Sequence, residues 1–196
     1  MTRNRPCAVG MANRNWLMPS PAQSIVLIGM MGAGKSSVGR ALERRTGLPR
    51  FDMDELIEAK AGMCIPDIFA QKGEPWFRDL ESAVLAEATL QGPVIIVTGG
   101  GVVLRPGNVT ALKQMGTVVW LDADAATLLA RASRRGNRPL LQTADPPVAM
   151  ADLLAVRLPL YTQAADIRID TTRLTHEEVT DVILAGLQKQ TPDASP

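Results

Sequence analysis

"IVLIGMMGAGKSSVGRAL", residues 25–42, decides how the rest of the chain is read. It opens with β-branched and aliphatic residues, as expected of a strand buried on both faces. A glycine-rich turn follows, and from Lys35 onward the pattern is helical. Residues 29–36, "GMMGAGKS", fit G-x-x-x-x-G-K-[ST] in the strand–loop–helix setting that this motif requires. Glycines let successive N–H groups turn toward one anion, and the helix N-terminus adds its positive end. Lys35 is expected to neutralise the β- and γ-phosphates of ATP, and the Ser36 hydroxyl to ligate Mg²⁺. Gly32, Ala33, Gly34 and Ser37 complete the expected ATP-binding loop.

Beyond Ser24, short apolar runs alternate with longer helical patterns. "SIVLIG", "LPRFD", "PVIIVTG", "TVVWLD" and "DIRID" read as strands, and residues 35–45, 54–61, 75–90, 106–114, 125–134, 148–163 and 177–188 as helices. This alternation predicts an α/β fold, a three-layer α/β/α arrangement around a mainly five-stranded parallel sheet. Ligands in such folds sit beyond the carboxyl ends of the strands. Residues 24–190 are expected to form one domain. Residues 1–23 carry three arginines and no acid and read as a flexible extension, and 191–196 as a frayed tail.

Composition narrows the chemistry. The formal net charge of the 196 residues is +1, so the overall field does not suggest a nucleic-acid ligand. No apolar run approaches the roughly 18 residues of a membrane span. Cys7, Cys64 and the single histidine, His176, lie in no metal-ligand spacing. Zinc, a Cys/His nucleophile pair and a disulfide scaffold are therefore poor fits, and a reducing, cytoplasmic setting suits the chain best.

A phosphate cradle alone does not identify a reaction. The DxxG and [NT]KxD elements of a guanine-nucleotide switch occur nowhere in the sequence, which leaves small-molecule kinases as the natural class. In "FDMDELIE" an extended backbone would aim Asp52 and Asp54 to the same side. One could hold hydrated Mg²⁺ and the other orient an acceptor hydroxyl, or either could simply cap a helix. Asp122, ending "TVVWLD", competes as the metal ligand or as the cap of the following helix.

Arg78 stands early in a helical pattern with Glu81 one turn on, Gly99, Gly100 and Gly101 end a strand, Arg138 lies in "RGNRPLL", and Arg157 opens "RLPLY". Together the motifs "GMMGAGKSS", "DMD", "IFAQKGEPWFR", "TGGG", "RPLL" and "RLPLYTQAADIRIDT", in this order, resemble the shikimate kinases over residues 25–187. The resemblance implies a P-loop kinase with a substrate-binding helical segment over about 53–81 and a mobile lid over about 136–147. It implies transfer of the γ-phosphoryl of ATP to the 3-hydroxyl of shikimate, on the route to chorismate and the aromatic amino acids, by a cytoplasmic monomer. By position, Asp54 would bind the substrate hydroxyls and act as orienting base, and Asp52 would reach the metal through water, leaving Asp122 a capping role. Arg78 and Arg157 would clamp the substrate carboxylate beside Gly99, Gly100 and Gly101, with Phe69 and Phe77 as apolar walls. Arg138 would reach the phosphates from the lid and Arg131 would lie against adenine, while Arg134 and Arg135 are expected to be solvated. After "IDTT" the chain reads "RLTHEE", where the family often has Ser-Pro, so Arg173 and His176 are weaker candidates for the adenine pocket, and His176 is expected at the surface. A kinase of another small polyol, such as gluconate, and a silent nucleotide-binding relative are the alternatives.

Overall fold

The structure is a computed structural model that describes residues 23–88, 92–134 and 139–190. Residues 1–22 of the extension, the tail, and residues 135–138, with Arg135, Arg138 and the start of the expected lid, lie outside the described residues. Five strands form one sheet: β1 (Ser24–Ile28), β2 (Arg50–Asp52), β3 (Ile95–Val97), β4 (Gly116–Asp122) and β5 (Ile167–Asp170). Their order is β2-β3-β1-β4-β5 and every pairing is parallel. Between them run α1 (Lys35–Thr46), α2 (Met53–Ala61), α3 (Ile65–Ala88), α4 (Pro106–Met115), α5 (Ala125–Arg134) and α6 (Pro146–Ala164), and α7 (His176–Gln190) follows β5.

Alternation along the strands builds the two faces. Ile25, Leu27, Ile95, Val97, Val119 and Leu121 point to one side, where they meet Val38 and Leu42 of α1, Leu128 of α5, and Val179 and Ile183 of α7. Val26, Ile28, Ile96, Val118 and Trp120 point to the other, against Met53 and Ile57 of α2, Phe77 and Leu85 of α3, and Tyr161 of α6. All five residues of β1 are buried, which is why that strand reads as an unbroken apolar run. After β1 the chain crosses to β2 at one edge, returns through β3, and then passes to β4 and β5 on the other side. This reversal opens a crevice at the carboxyl end of β1, where the glycine loop emerges.

Three boundaries depart from the sequence reading. α3 begins at Ile65, ten residues before Pro75; Gly73 (φ 81°, ψ 168°) is non-helical and divides it into two helical halves, the second of which is the helix expected from residue 75. The helix expected from residue 148 starts at Pro146, which with Pro147 occupies the first turn, where no N–H donor is needed; Asp145 caps it, accepting from the Val148 N–H at 3.2 Å. α2 starts at Met53, directly after β2.

Gly39 shows how closely α1 lies on the sheet. A Cβ there would sit 2.5 Å from Cγ2 of the buried Val97. Alanine in a helix ordinarily gains up to about 1 kcal/mol over glycine, but forced overpacking against a stiff β-branched side chain costs roughly 1–3 kcal/mol. Gly39→Ala is therefore expected to lower the urea midpoint of unfolding; a raised midpoint would show that α1 can lift off the sheet cheaply.

Candidate active site

Two glycines of the loop are dictated by backbone geometry. Gly29 (φ 138°) and Gly32 (φ 85°) occupy a region that side chains strain, and a Cβ would lie 2.2 Å from the Leu121 carbonyl oxygen or 2.3 Å from that of Leu128. The loop therefore rests directly on the backbone of β4 and α5. Lys35 is buried and its Nζ donates to the carbonyls of Gly29 (2.7 Å) and Met30 (3.0 Å), across the mouth of the loop. A cleft of about 460 Å³ opens above it. Its lining includes Gly32, Gly34, Lys35, Ser36 and Ser37 of the loop, Asp54, Thr98 and Gly100 from beyond β2 and β3, and Arg131, Arg134 and His176.

Beside this cleft the Gly99–Gly100–Gly101 backbone makes three different contacts. A Cβ on Gly99 would lie 2.9 Å from Oε1 of Glu81 and 3.1 Å from Oδ1 of Asp54. One on Gly100 would lie 3.4 Å from the Met31 nitrogen and 3.6 Å from Nη1 of Arg157. One on Gly101 would lie 2.2 Å from Nη2 of Arg78, so that guanidinium packs flat on bare backbone. Arg78, Glu81 and Arg157 are all buried. Nη1 of Arg78 donates to Glu81 Oε2 at 2.8 Å, whereas Glu81 Oε1 accepts no hydrogen bond among the described residues. Burial pushes the Glu81 carboxyl above the ordinary glutamate range, Arg78 pulls it back, and Asp54 adds to the rise. Tyr161, one turn beyond Arg157 on α6, donates its hydroxyl to the Gly100 carbonyl. An acid, two guanidiniums and a phosphate-binding loop thus meet at one end of the sheet, the set needed to hold a hydroxylated acid beside a nucleotide.

A sequence model of the family described as shikimate kinase matches residues 31–188. The chain belongs to the shikimate kinase family. It is 46% identical over 169 residues to a shikimate kinase of Symbiobacterium thermophilum, covering 85% of this chain and 97% of that protein. It is 44% identical to that of Nitrobacter winogradskyi over 86% of this chain and 78% of the other. Among solved structures, the shikimate kinase of Acinetobacter baumannii in complex with shikimate superposes with a TM-score of 0.84 at 38% identity, over 87% of this chain and 96% of that one.

Within this shikimate kinase family member the residues singled out from sequence are distributed unevenly. Lys35, Ser36, Asp54, Gly100 and Arg131 line the cleft; Arg78 and Arg157 do not, but lie against the backbone of Gly101 and Gly100 respectively. Ala33 is buried beneath the loop and does not line the cleft. Asp52 and Asp54 do not share a surface in the way an extended segment predicts, because the helix starts between them. Asp52 ends β2, its Oδ2 accepting from Arg50 Nη1 at 3.1 Å, and only Asp54 lines the cleft. Asp122 is not a cap. It pairs with Arg168 at 2.6 Å, and Asp124 caps α5, accepting from the Thr127 N–H at 2.7 Å. Phe69, half-buried, and Phe77, buried, pack together at 4.9 Å, with Arg78 over the Phe77 ring. Arg134 is exposed as expected but also lines the cleft. His176 is exposed too, yet its ring lies 3.4 Å from the Cβ position of Gly34; Arg173 is not among the lining residues. Arg131 is held by the Thr171 and Thr172 carbonyls at 3.0 and 3.2 Å.

Tyr161, Thr98 and Met30 had no assigned role in the sequence reading. Met30 Sδ lies 3.7 Å from Arg157 Nη1 and 3.9 Å from the Tyr161 hydroxyl. For Tyr161 a signal existed: it follows Arg157 by one helical turn, and a tyrosine in an apolar stretch needs a partner for its hydroxyl. Burial pushes the Tyr161 phenol well above its ordinary value, so it stays a neutral donor across the working range of pH. Tyr161→Phe leaves the Gly100 carbonyl without that donor and is expected to lower the unfolding free energy by about 1–2 kcal/mol, measured by urea denaturation. An unchanged midpoint would show that water replaces the hydroxyl at no cost.

Proposed function

We propose that this chain transfers the γ-phosphoryl group of ATP to the 3-hydroxyl of shikimate, giving shikimate 3-phosphate and ADP, as a cytoplasmic monomer. The observation that carries the reading is the convergence of Asp54, Arg78 and Arg157 on the Gly99–Gly101 backbone, next to the Lys35 loop. Shikimate is a compact carboxylated polyol. Planar guanidiniums match its carboxylate better than ammonium groups would, and a single carboxylate at Asp54 suits its hydroxyls. Arg78 and Arg157 hold the carboxylate, with the Gly100 backbone alongside. Asp54 accepts the proton of the attacking hydroxyl and aims its oxygen at the γ-phosphorus.

Loop N–H groups and Lys35 hold the phosphates, so Lys35 must turn from the Gly29 and Met30 carbonyls toward the nucleotide. Arg131 takes the base. Arg138, on a lid over about 136–147, brings a further positive charge to the phosphates and excludes water when both substrates are in place. Among the described residues no group of three or more metal-ligating side chains exists, and no helix is long and apolar enough to cross a membrane. Sparse protein ligation fits Mg²⁺, which is held by one or two side chains together with nucleotide phosphates and water. Ser36, which lines the cleft, would supply the direct ligand; Asp52, tied to Arg50 and outside the cleft lining, could act only from a distance through water. The ion supplies charge neutralisation on the phosphates.

An acceptor panel tests the reading. ATP consumption with shikimate and not with gluconate or other polyols is the expected result, and phosphorylation of gluconate alone would overturn it. Arg78→Ala or Arg157→Ala should weaken shikimate binding by on the order of 2–5 kcal/mol with little change in KM for ATP. Asp54→Asn should lower kcat by at least about 100-fold. Trp76 stands two residues before Arg78, so shikimate alone should change the intrinsic fluorescence, and Trp76→Phe should abolish that change.

A further inference from the structure

Arg78 has a second carboxylate partner. Glu74 Oε1 accepts from both Nε (3.1 Å) and Nη2 (2.9 Å) of Arg78, while Glu81 Oε2 accepts from Nη1 (2.8 Å). A guanidinium has five N–H groups: one on Nε and two on each terminal nitrogen. These hydrogen bonds engage one on each nitrogen. Among the described residues, one N–H therefore remains on Nη1 and one on Nη2, so both terminal nitrogens keep a donor for an incoming carboxylate. The partners differ in environment: the Glu81 side chain is 0% exposed and that of Glu74 43%. Glu81 is thus a fixed internal anchor, and Glu74 is the outer one. Gly73 breaks α3 immediately before Glu74, and the helical segment that restarts there carries Glu74 and Arg78 one turn apart, acid toward the N-terminus.

We propose that Glu74 is a positioning residue for substrate recognition: by occupying the Nε side of Arg78 it leaves only the end-on fork for an incoming carboxylate, and so sets the angle at which an acid substrate enters. The inference rests on the function proposed above. Without Glu74 the guanidinium keeps its tie to Glu81 but gains a second, side-on fork. A carboxylate can then bind in two orientations, only one of which places the hydroxyl at Asp54.

Kinetics of Glu74→Ala and Glu74→Gln, with shikimate and with its carboxamide as acceptors, test this. Glu74→Ala is expected to raise the shikimate KM about tenfold, the scale of a lost hydrogen bond to a charged group, with KM for ATP unchanged. The preference for shikimate over the carboxamide should narrow. Glu74→Gln, whose amide oxygen can still accept from Nε, should recover part of the loss. Because Glu74 is half exposed, the glutamine variant retains the fold and keeps the test usable if the alanine variant does not fold. A shikimate KM that is unchanged or lowered in both variants, or a carboxamide preference that does not move, overturns the role of Glu74 alone. A wild-type chain that does not phosphorylate shikimate overturns the proposed function and this inference with it.

Discussion

Asp54, Glu81, Arg78 and Arg157 all close on one stretch of backbone with nothing attached to it. Gly99, Gly100 and Gly101 form a bare ledge at the end of β3. Asp54 and Glu81 close on the first glycine, the P-loop and Arg157 on the second, and Arg78 lies flat on the third. A methyl group at Gly101 would overlap a guanidinium that has no room to retreat, since Arg78 is buried and tied at its other edge to Glu74 and Glu81. The ledge therefore sets the distance between the phosphate-binding loop and the Arg78 and Arg157 guanidiniums. Tyr161 holds it from below through the Gly100 carbonyl, and Met30 joins the loop to Arg157 and Tyr161.

Charges around the ledge are arranged for recognition more than for stability. Taking Arg78, Arg157 and Glu81 out of water is costly, and a buried pair returns little of that cost unless its hydrogen bonds are complete. Here one Glu81 oxygen is left without a partner among the described residues. Such an arrangement is tolerated because the surrounding apolar packing on both faces of the sheet supplies the stability, while the buried charges supply a dry, directional site. In the proposed reaction a small acid would meet preorganised donors that need not reorganise when phosphoryl transfer occurs.

Reading the sequence went furthest where the physics is local. The P-loop was legible because consecutive residues must turn their N–H groups toward one anion, and the strands because burial on both faces leaves an unbroken apolar run. Gly73 and Pro75 mark a real boundary, since a helical half begins just after Gly73; the half before it, from Ile65, has no place in the sequence reading, and its Ile68 joins the same core as Phe77. Asp52 and Asp54 were treated as one extended pair, and the onset of α2 between them separates their roles. Asp122 carried no local sign of its partner, because Arg168 is its neighbour only through the pairing of β4 with β5.

The sequence by itself determined the order of strands and helices, the phosphate-binding loop and, through its motifs, membership of the shikimate kinase family. The first two follow from periodicities and spacings that operate over a few residues, and the family likeness from motifs spread along residues 25–187. Tertiary structure alone decided which carboxylates and guanidiniums share a site. Asp54, Arg78, Gly100 and Arg157 come from four separate segments, brought together by the crossing of parallel strands. Tyr161 and Met30 acquire their roles only when burial removes water as the competing partner, and Glu74 acquires its role from the helical turn that places it against Arg78.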